Sequence, residues 1–262
     1  MRVELGICYS ESFADSRRLD LFVPQQPNGR GILLIHGGGW RSGSPAMWHY
    51  TAEHLGGQGY VCASCGYRLA PQHRFPAQVE DVRLAMAWMR GRAKDLGFGA
   101  DRVAVLGSSA GGHLAAMLAT VGPDDALGRT EELSCLDTRP NAVVCDCPVT
   151  FFEDAGEAIS EARRGFLGGT TEEISEVGAV ASPLHRVTGD EPPFLLVHGE
   201  LDTVVPPVHS VRLAERLEAA GVPVELVIVP KLAHGFAFHR DCPLHPEIHR
   251  RMEAFLDRHL AG

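Results

Sequence analysis

The sequence predicts an α/β protein with a mostly parallel central sheet and helices on both faces, and two observations support this fold class. Seven short apolar segments are typical of strands, and most of them are almost continuously apolar, as strands covered on both faces are. Segments with helical spacing of apolar residues alternate with them, and this alternation indicates a parallel sheet. The predicted strands are residues 17–24, 31–37, 60–67, 102–108, 141–148, 194–200 and 224–230.

The predicted helices lie between these strands, at residues 46–55, 76–92, 112–120, 208–220 and 246–259. The second of them begins at Pro76, which is favourable in a first helical turn, and Val79, Val82, Met86 and Met89 follow at helical spacing. Reactive groups in such folds lie on loops after the carboxyl ends of strands.

Residues 149–191 interrupt the alternation. This segment contains two helical patterns and is far longer than an ordinary connection between strands. We therefore expect a lid or cap inserted into the domain.

Length and composition limit the possible functions. The 262 residues, 45% of them hydrophobic, predict one domain over residues 1–262. The net charge of −9 and the lack of a cluster of Lys and Arg disfavour nucleic-acid binding. No apolar run has the length of a signal peptide or a membrane span, so we expect a soluble, cytoplasmic protein.

The cysteines do not indicate a disulfide framework, because there are seven of them, an odd number. Cys62 with Cys65, and Cys145 with Cys147, have spacings that could suggest zinc. Both pairs lie in apolar strand segments, where cysteine acts as a small hydrophobic residue, so we expect them in the core.

His245 and His249, four residues apart and near Cys242 and His239, are a second possible metal site. Pro246 is predicted to begin a helix there, and no glutamate follows the first histidine as the zinc-protease motif requires. We predict no metal in this protein.

The segment Gly107-Ser-Ser-Ala-Gly111 has the pattern G-x-S-x-G. It follows a predicted strand and opens a predicted helix, which is the context in which this pattern exposes a nucleophilic serine on a sharp turn. Ser109 is therefore the candidate nucleophile, and Ser108 is expected to pack in the turn.

A serine needs a base to accept its proton, and the position along the chain selects among thirteen histidines. His234 follows the last predicted strand in a loop, at the reactive edge of the sheet. His198 ends a strand and His113 lies inside a helix, so both are expected to be structural.

The third member of a triad orients the imidazole and stabilises its charge. Asp202 lies in the loop after the preceding strand and is the preferred candidate. Glu200 and Asp146 are the alternatives, but Glu200 is too close to the end of its strand and Asp146 follows an earlier strand.

Three consecutive glycines, Gly37 to Gly39, follow the apolar strand that ends near His36. Acyl transfer needs backbone N–H groups directed at the oxyanion, and side chains on that loop would block the substrate. We predict an oxyanion hole from the N–H of Gly38, that of Gly39 or Gly37, and that of Ala110. A phosphate-binding loop is disfavoured because no suitable lysine or ribose-binding acid accompanies these glycines.

The order Ser109, Asp202, His234 after an H-G-G-G segment resembles the α/β-hydrolase superfamily. The segments LDLFVP, HGGGW, YRLAP, FPAQVEDV, GSSAGGHLAA, SPLH, HGELDTVVP and AHGF are similar to those of the small carboxylesterases related to hormone-sensitive lipase. The similarity is greatest to a compact group named for a bacterial feruloyl and acetyl esterase.

The residues and the resemblance together predict a serine hydrolase that cleaves short-chain carboxylic esters, including acetyl esters of carbohydrates, through an acyl-enzyme. No metal or organic cofactor is needed, the partner is a small-molecule ester, and a homodimer is compatible with the sequence. Trp40, beside the glycine loop, is expected either to shape the substrate pocket or to pack in the core.

Two alternatives stay open at this stage. An arylformamidase acting on N-formylkynurenine would use the same triad on an amide. A ligand-binding protein on a disabled hydrolase scaffold would be expected to lack a triad member, whereas all three are present.

Overall fold

One sheet organises the molecule, as a computed structural model shows. The structure describes residues 1–122, 125–133, 137–153, 156–168, 171–235, 238, 241–242 and 245–261. For residues 156–160, 171–175 and 245 it describes the backbone alone. Within this part of the chain the sheet has eight strands: β1 (Arg2–Cys8), β2 (Arg18–Val23), β3 (Gly29–Ile35), β4 (Val61–Cys65), β5 (Phe98–Ser108), β6 (Ala142–Asp146), β7 (Phe194–Gly199) and β8 (Val224–Val229). Their order is β1-β2-β4-β3-β5-β6-β7-β8. The β1–β2 and β2–β4 pairs are antiparallel and the other pairs are parallel, which confirms the mostly parallel sheet.

All seven predicted strands are present, and β1 is an eighth that the sequence analysis missed. This strand pairs with β2 along one side and lies at the edge of the sheet. Its apolar side chains are largely exposed, with Val3 at 44% and Leu5 at 64%. A search for buried apolar runs overlooks such a strand, although alternation of polar and apolar residues was the signal that could have found it.

Nine helices are present in the described residues: α1 (His49–Gly57), α2 (Ala77–Gly91), α3 (Ala93–Leu96), α4 (Ala110–Thr120), α5 (Gly156–Leu167), α6 (Thr171–Val180), α7 (Pro183–Arg186), α8 (Val208–Ala219) and α9 (His245–His259). The helix predicted at 46–55 is divided into a 3-10 turn over Pro45–Trp48 and the following α1.

The helices cover both faces of the sheet. Ile32 and Leu34 of β3 belong to a core formed with α1 and α9, whereas Leu33 and Ile35 belong to a second core formed with α2, α4 and α8. Adjacent residues of a strand point to opposite faces, so this alternation explains why the central strands are apolar throughout. Cys62 and Cys65 of β4 are also divided between the two cores, as expected for core cysteines.

The insertion predicted between residues 149 and 191 contains α5, α6 and α7. Phe166 of α5 is buried and stacks on Trp40, with 4.3 Å between the ring centroids. The segment is thus packed against the core behind the glycine loop, and its action as a lid stays a prediction. None of the described helices combines the length and the apolar character that crossing a bilayer requires.

Candidate active site

Ser109 lies on a sharp turn between the end of β5 and the start of α4. Its φ of 56° and ψ of −118° are rare for a residue with a side chain, and the surrounding structure must hold this conformation. The flanking glycines allow it: a Cβ at Gly107 would lie 2.1 Å from the carbonyl oxygen of Gly111, and one at Gly111 would lie 2.1 Å from that of Ile35. The small residues of the motif are therefore required by close approach of backbone.

The structure brings Ser109, His234 and Asp202 into one chain of hydrogen bonds. Ser109 Oγ lies 2.9 Å from Nε2 of His234, and Nδ1 of His234 lies 2.6 Å from Oδ2 of Asp202. A carboxylate only accepts hydrogen bonds, so Nδ1 carries the proton and Nε2 is left to accept one from Ser109. This arrangement can remove the proton of Ser109 and return it to a leaving group.

Asp202 is buried in the loop after β7 and is held at both carboxylate oxygens. Oδ1 accepts hydrogen bonds from the N–H groups of Val204 (2.9 Å) and Val205 (2.8 Å). Burial by itself would raise the pKa of Asp202, but hydrogen bonds from His198, His234 and the N–H of Val205 outweigh it and hold the pKa well below its usual range. Asp202 is thus ionised and fixed in orientation next to His234.

The other acidic candidates lie elsewhere in the hydrogen-bond network. Glu200 is exposed and its Oε2 accepts from the N–H of Lys231 at 3.1 Å. Asp146 is buried beside the turn formed by Ser108 and Ser109, called here the nucleophile turn, where its Oδ2 accepts from Ser108 Oγ at 2.8 Å. The sequence predicts only packing for Ser108, and this hydrogen bond to Asp146 is an additional contact.

The glycine loop, Gly37 to Gly39, faces the turn at Ser108 and Ser109, and its role as an oxyanion hole stays a prediction. Gly38 and Gly39 have φ values of 107° and 59°, which glycine adopts without strain. A Cβ at Gly37 would lie 3.0 Å from the carbonyl oxygen of Ser108. Within the described residues, the backbone hydrogen bonds do not use the N–H groups of these three glycines or of Ala110, the first residue of α4. Four backbone donors are therefore available next to Ser109.

His36 anchors the start of this loop. Its Nδ1 donates to the carbonyl oxygen of Gly37 at 2.8 Å, and its ring stacks on Tyr67 with 4.2 Å between the centroids. Burial lowers the pKa of His36 to about 4, although the hydrogen bond to Gly37 opposes this change. The imidazole is thus neutral near pH 7. Gly43 packs so closely on it that a Cβ would lie 2.3 Å from Nδ1.

A cavity of about 440 Å³ opens over Ser109 and His234. Four of its residues have large apolar side chains: Met47, Trp48, Val204 and Phe238. The glycine loop, Ser108 and Asp146 also line it, whereas no described residue of the 149–191 insertion does. Among the described residues, the wall of the cavity is thus formed chiefly by the segment around α1 and by Gly235 and Phe238. The predicted site residues include none of these four apolar side chains.

Trp40 does not line this cavity, which corrects its tentative assignment to the substrate pocket. It is 1% exposed, and its Nε1 donates to Nδ1 of His113 at 3.2 Å. His113 in turn donates from Nε2 to the carbonyl oxygen of Ala181 at 2.8 Å. The indole is therefore a core residue that ties the glycine loop to α4 and to the inserted segment.

Two groups of side chains within the described residues could contribute metal ligands, each with ligand atoms within 4.8 Å of one another: Cys147, Asp202 and His234, and His54, His249 and Glu253. The first group shares two members with the triad. The second joins α1 to α9, where Nε2 of His54 lies 3.3 Å from Oε1 of Glu253. Two residues weighed for a metal, His239 and the side chain of His245, lie outside the described residues. The absence of a metal stays a prediction.

Comparison with known proteins identifies the family. The BD-FAE family model matches residues 19–217. The chain belongs to the BD-FAE family. Two curated relatives are esterase LipC of Mycobacterium tuberculosis, 36% identical over 78% of this chain and 52% of LipC, and ethyl acetate hydrolase of Pseudomonas putida, 32% identical over 82% of this chain and 70% of that protein. The chain spans about half the length of the first curated relatives it matches.

A solved structure of an esterase supports the fold. Esterase Est2 of Thermogutta terrifontis is 28% identical, with a TM-score of 0.79 over 98% of this chain and 91% of Est2. Est2 has also been solved with propionate bound and with butyrate bound. Together with the sheet order, this similarity shows that the BD-FAE chain has the α/β-hydrolase fold.

Proposed function

We propose that this chain is a serine carboxylesterase that hydrolyses short-chain acyl esters through an acyl-enzyme. The observation that carries the proposal is the chain of hydrogen bonds from Ser109 through His234 to Asp202. Ser109 and His234 line a cavity together with the glycine loop. The names of the relatives, which include two esterases and an ethyl acetate hydrolase, support the same reaction class.

In the acylation step Ser109 Oγ forms a bond to the ester carbonyl carbon while Nε2 of His234 accepts the hydroxyl proton. The oxyanion of the tetrahedral intermediate is stabilised by the N–H of Ala110 and those of Gly38 and Gly39. The C–O bond to the alcohol then breaks, and His234 gives its proton to the departing oxygen. Water repeats the sequence on the acyl-enzyme, releasing the carboxylic acid and restoring Ser109.

The size and lining of the cavity support a small acyl group. Its volume of about 440 Å³ is at the low end of ligand pockets and must hold both parts of the ester. Apolar side chains such as Met47 and Phe238 suit a short alkyl chain, and acetyl esters of carbohydrates are a finer proposal of the same class. The name of ethyl acetate hydrolase and the propionate and butyrate bound to Est2 support a short acyl group.

Two measurements test this function. A fluorophosphonate probe should label the wild-type protein at Ser109, and Ser109→Ala should not be labelled. In a panel of p-nitrophenyl esters, kcat/KM should be highest at two to four acyl carbons, on the order of 10-fold or more above that for a ten-carbon ester. An acetylated sugar and N-formylkynurenine complete the panel.

The outcomes separate the alternatives. No labelling of Ser109 and no turnover would favour a binding protein. Faster turnover of N-formylkynurenine than of any ester would favour an arylformamidase. A cytoplasmic location and a homodimer stay predictions, to be tested by cell fractionation and by light scattering after size-exclusion chromatography.

A further inference from the structure

Asp146 is a buried carboxyl group next to the nucleophile turn that the triad mechanism does not use. It ends β6 and lies in register with Ser108 of β5. Its main-chain oxygen accepts from the N–H of Ser109 at 2.8 Å, and its Oδ2 accepts from Ser108 Oγ at 2.8 Å. One residue therefore holds both residues of the strained turn, Ser109 through backbone and Ser108 through a side chain.

The carboxyl group of Asp146 lies close to the triad. Asp146 and His234 both line the cavity, and Ser108 Oγ, which contacts Asp146, also lies 3.7 Å from Sγ of Cys147. That sulfur lies within 4.8 Å of a carboxylate oxygen of Asp202 and a ring nitrogen of His234. The other titratable groups that interact with Asp146 are His198 and the thiols of Cys145 and Cys147. Burial raises the pKa of Asp146 to about 6 and the charge of Asp202 adds to this, whereas the Ser108 hydroxyl, His234 and His198 lower it. Asp146 thus carries its charge above about pH 6, where an ester hydrolase with a histidine base operates.

We propose that Asp146 is a positioning residue of this site: it holds the nucleophile turn through Ser108, and its negative charge favours the protonated imidazole of His234. This inference rests on the proposed esterase function. It follows that the charge of Asp146 moves the lower end of the working pH range upward, because only the neutral imidazole can accept the proton of Ser109.

Two substitutions separate the charge from the positioning. Asp146→Asn removes the charge but keeps an oxygen that can accept the hydrogen bond from Ser108. Ser108→Ala keeps the carboxyl group but removes the hydroxyl that ties it to the turn. Glu191→Gln is a matched control, since Glu191 is a buried carboxylate that accepts from the N–H groups of Thr188 and Gly189, in the connection before β7.

The pH profile of kcat/KM tests the charge. For Asp146→Asn the acid limb should move to lower pH by about 0.5 unit, because the protonated imidazole loses a favourable negative neighbour. Glu191→Gln should leave the acid limb in place. An unchanged acid limb in Asp146→Asn would overturn the role of the charge.

The kinetic parameters at the plateau test the positioning. Ser108→Ala should lower kcat about 10-fold with KM changed less than about twofold, since a misplaced nucleophile affects the reaction more than binding. Wild-type kcat in a folded Ser108→Ala protein would overturn the positioning role.

A measurement without turnover keeps this inference distinct from the proposed function. The Nδ1 proton of His234, in its short hydrogen bond to Asp202, can be followed by proton NMR during a pH titration. Its transition should move to lower pH in Asp146→Asn, and an unchanged transition would overturn the inference even if the wild type is an active esterase. If the wild type neither turns over esters nor reacts at Ser109, the esterase proposal fails whatever the titration shows.

Discussion

His198 lies 3.3 Å from Oδ2 of Asp202, the same carboxylate oxygen that His234 contacts. Its Nε2 also lies 2.8 Å from the carbonyl oxygen of Val205, which can only accept, so Nε2 carries a proton. Nδ1 then accepts from the hydroxyl of Ser210 at 2.7 Å. The single Nε2–H of the buried His198 is thus shared between the carbonyl oxygen of Val205 and Oδ2 of Asp202.

Replacing His198 tests this shared donor. His198→Phe should lower kcat about 10-fold, because loss of a hydrogen bond to a charged group costs about 1.5–3 kcal/mol and leaves Asp202 less well oriented. Ser210→Ala is the matched control, since it removes the partner of Nδ1 and keeps the donor to Asp202. Steady-state kinetics on a short p-nitrophenyl ester provide the measurement, and equal kcat values for the two variants would contradict the assignment.

The two serines of the turn should differ sharply in their effect on catalysis. Ser109→Ala should fold normally and lose at least about 10⁴-fold in kcat, as expected when a triad nucleophile is removed. Ser108→Ala should lose only about 10-fold, because Ser108 acts on the turn and not on the ester. Circular dichroism would check folding in both proteins. Similar residual activity in the two variants would show that the nucleophile is misassigned.

The glycine loop allows a comparison of two neighbouring positions with positive φ. A Cβ at Gly38 would lie 2.3 Å from the carbonyl oxygen of Ser42, whereas the nearest atom to a Cβ at Gly39 is 3.5 Å away, on Ala162. Gly38→Ala should therefore displace the oxyanion donors and lower kcat by roughly 10²–10³. Gly39→Ala should cost less, since the αL conformation alone strains a residue by about 1–2 kcal/mol.

Labelling rates and melting temperatures provide the check on these loop variants. The fluorophosphonate oxygen is expected to occupy the same oxyanion site, so Gly38→Ala should also react more slowly with the probe. Wild-type kcat in a Gly38→Ala protein with an unchanged Tm would mean that the glycine run serves folding and not catalysis.

Acid should destabilise the fold through buried neutral histidines. Burial lowers the pKa of His36, His113 and His209 to about 4, from 6.5. The unfolded chain thus binds three more protons than the native state between those values, so their contribution to stability is lost as pH falls from 6.5 to 4. Asp146 has the opposite effect on stability. Its pKa is raised from 3.8 to about 6, so between these values the native state binds one proton that the unfolded chain does not.

The net effect is about two protons, which predicts that the free energy of unfolding falls by about 3 kcal/mol per pH unit between pH 6 and 4. Urea unfolding at pH 7, 6 and 5 would measure it. In Asp146→Asn the fall should be steeper, because the opposing proton is removed. A free energy of unfolding that stays constant from pH 7 to pH 5 would contradict this account.

The triad could be selected from the sequence because each member follows a different apolar strand. Strands that run parallel bring their carboxyl ends to one edge of the sheet, so Ser109, Asp202 and His234 could be expected together although 125 residues separate the first from the last. The glycines of the G-x-S-x-G motif and of the loop after β3 could also be interpreted from the sequence. Only a residue without a side chain permits such close backbone approach.

The cavity and the surroundings of the triad could not be predicted from the sequence in this way. No sequence pattern predicts the direction of the Trp40 side chain, because an aromatic residue beside a loop can turn toward a cavity or toward the core. Trp40 turns toward the core because it stacks on Phe166, which lies more than one hundred residues later in the chain. The edge strand β1 was missed because its pairing with β2 requires no burial.

The sequence by itself indicated seven of the eight strands, the turn at Ser109 and the residues of the proposed triad, because apolar periodicity and glycine requirements are local properties of the chain. Tertiary structure alone decided what surrounds those residues. The contacts of His198 with Asp202, and of Asp146 with Ser108, join side chains from neighbouring strands or from a strand and the loop after it. Their distances depend on strand register and on the path of a loop, and these are settled only when both faces of the sheet are packed.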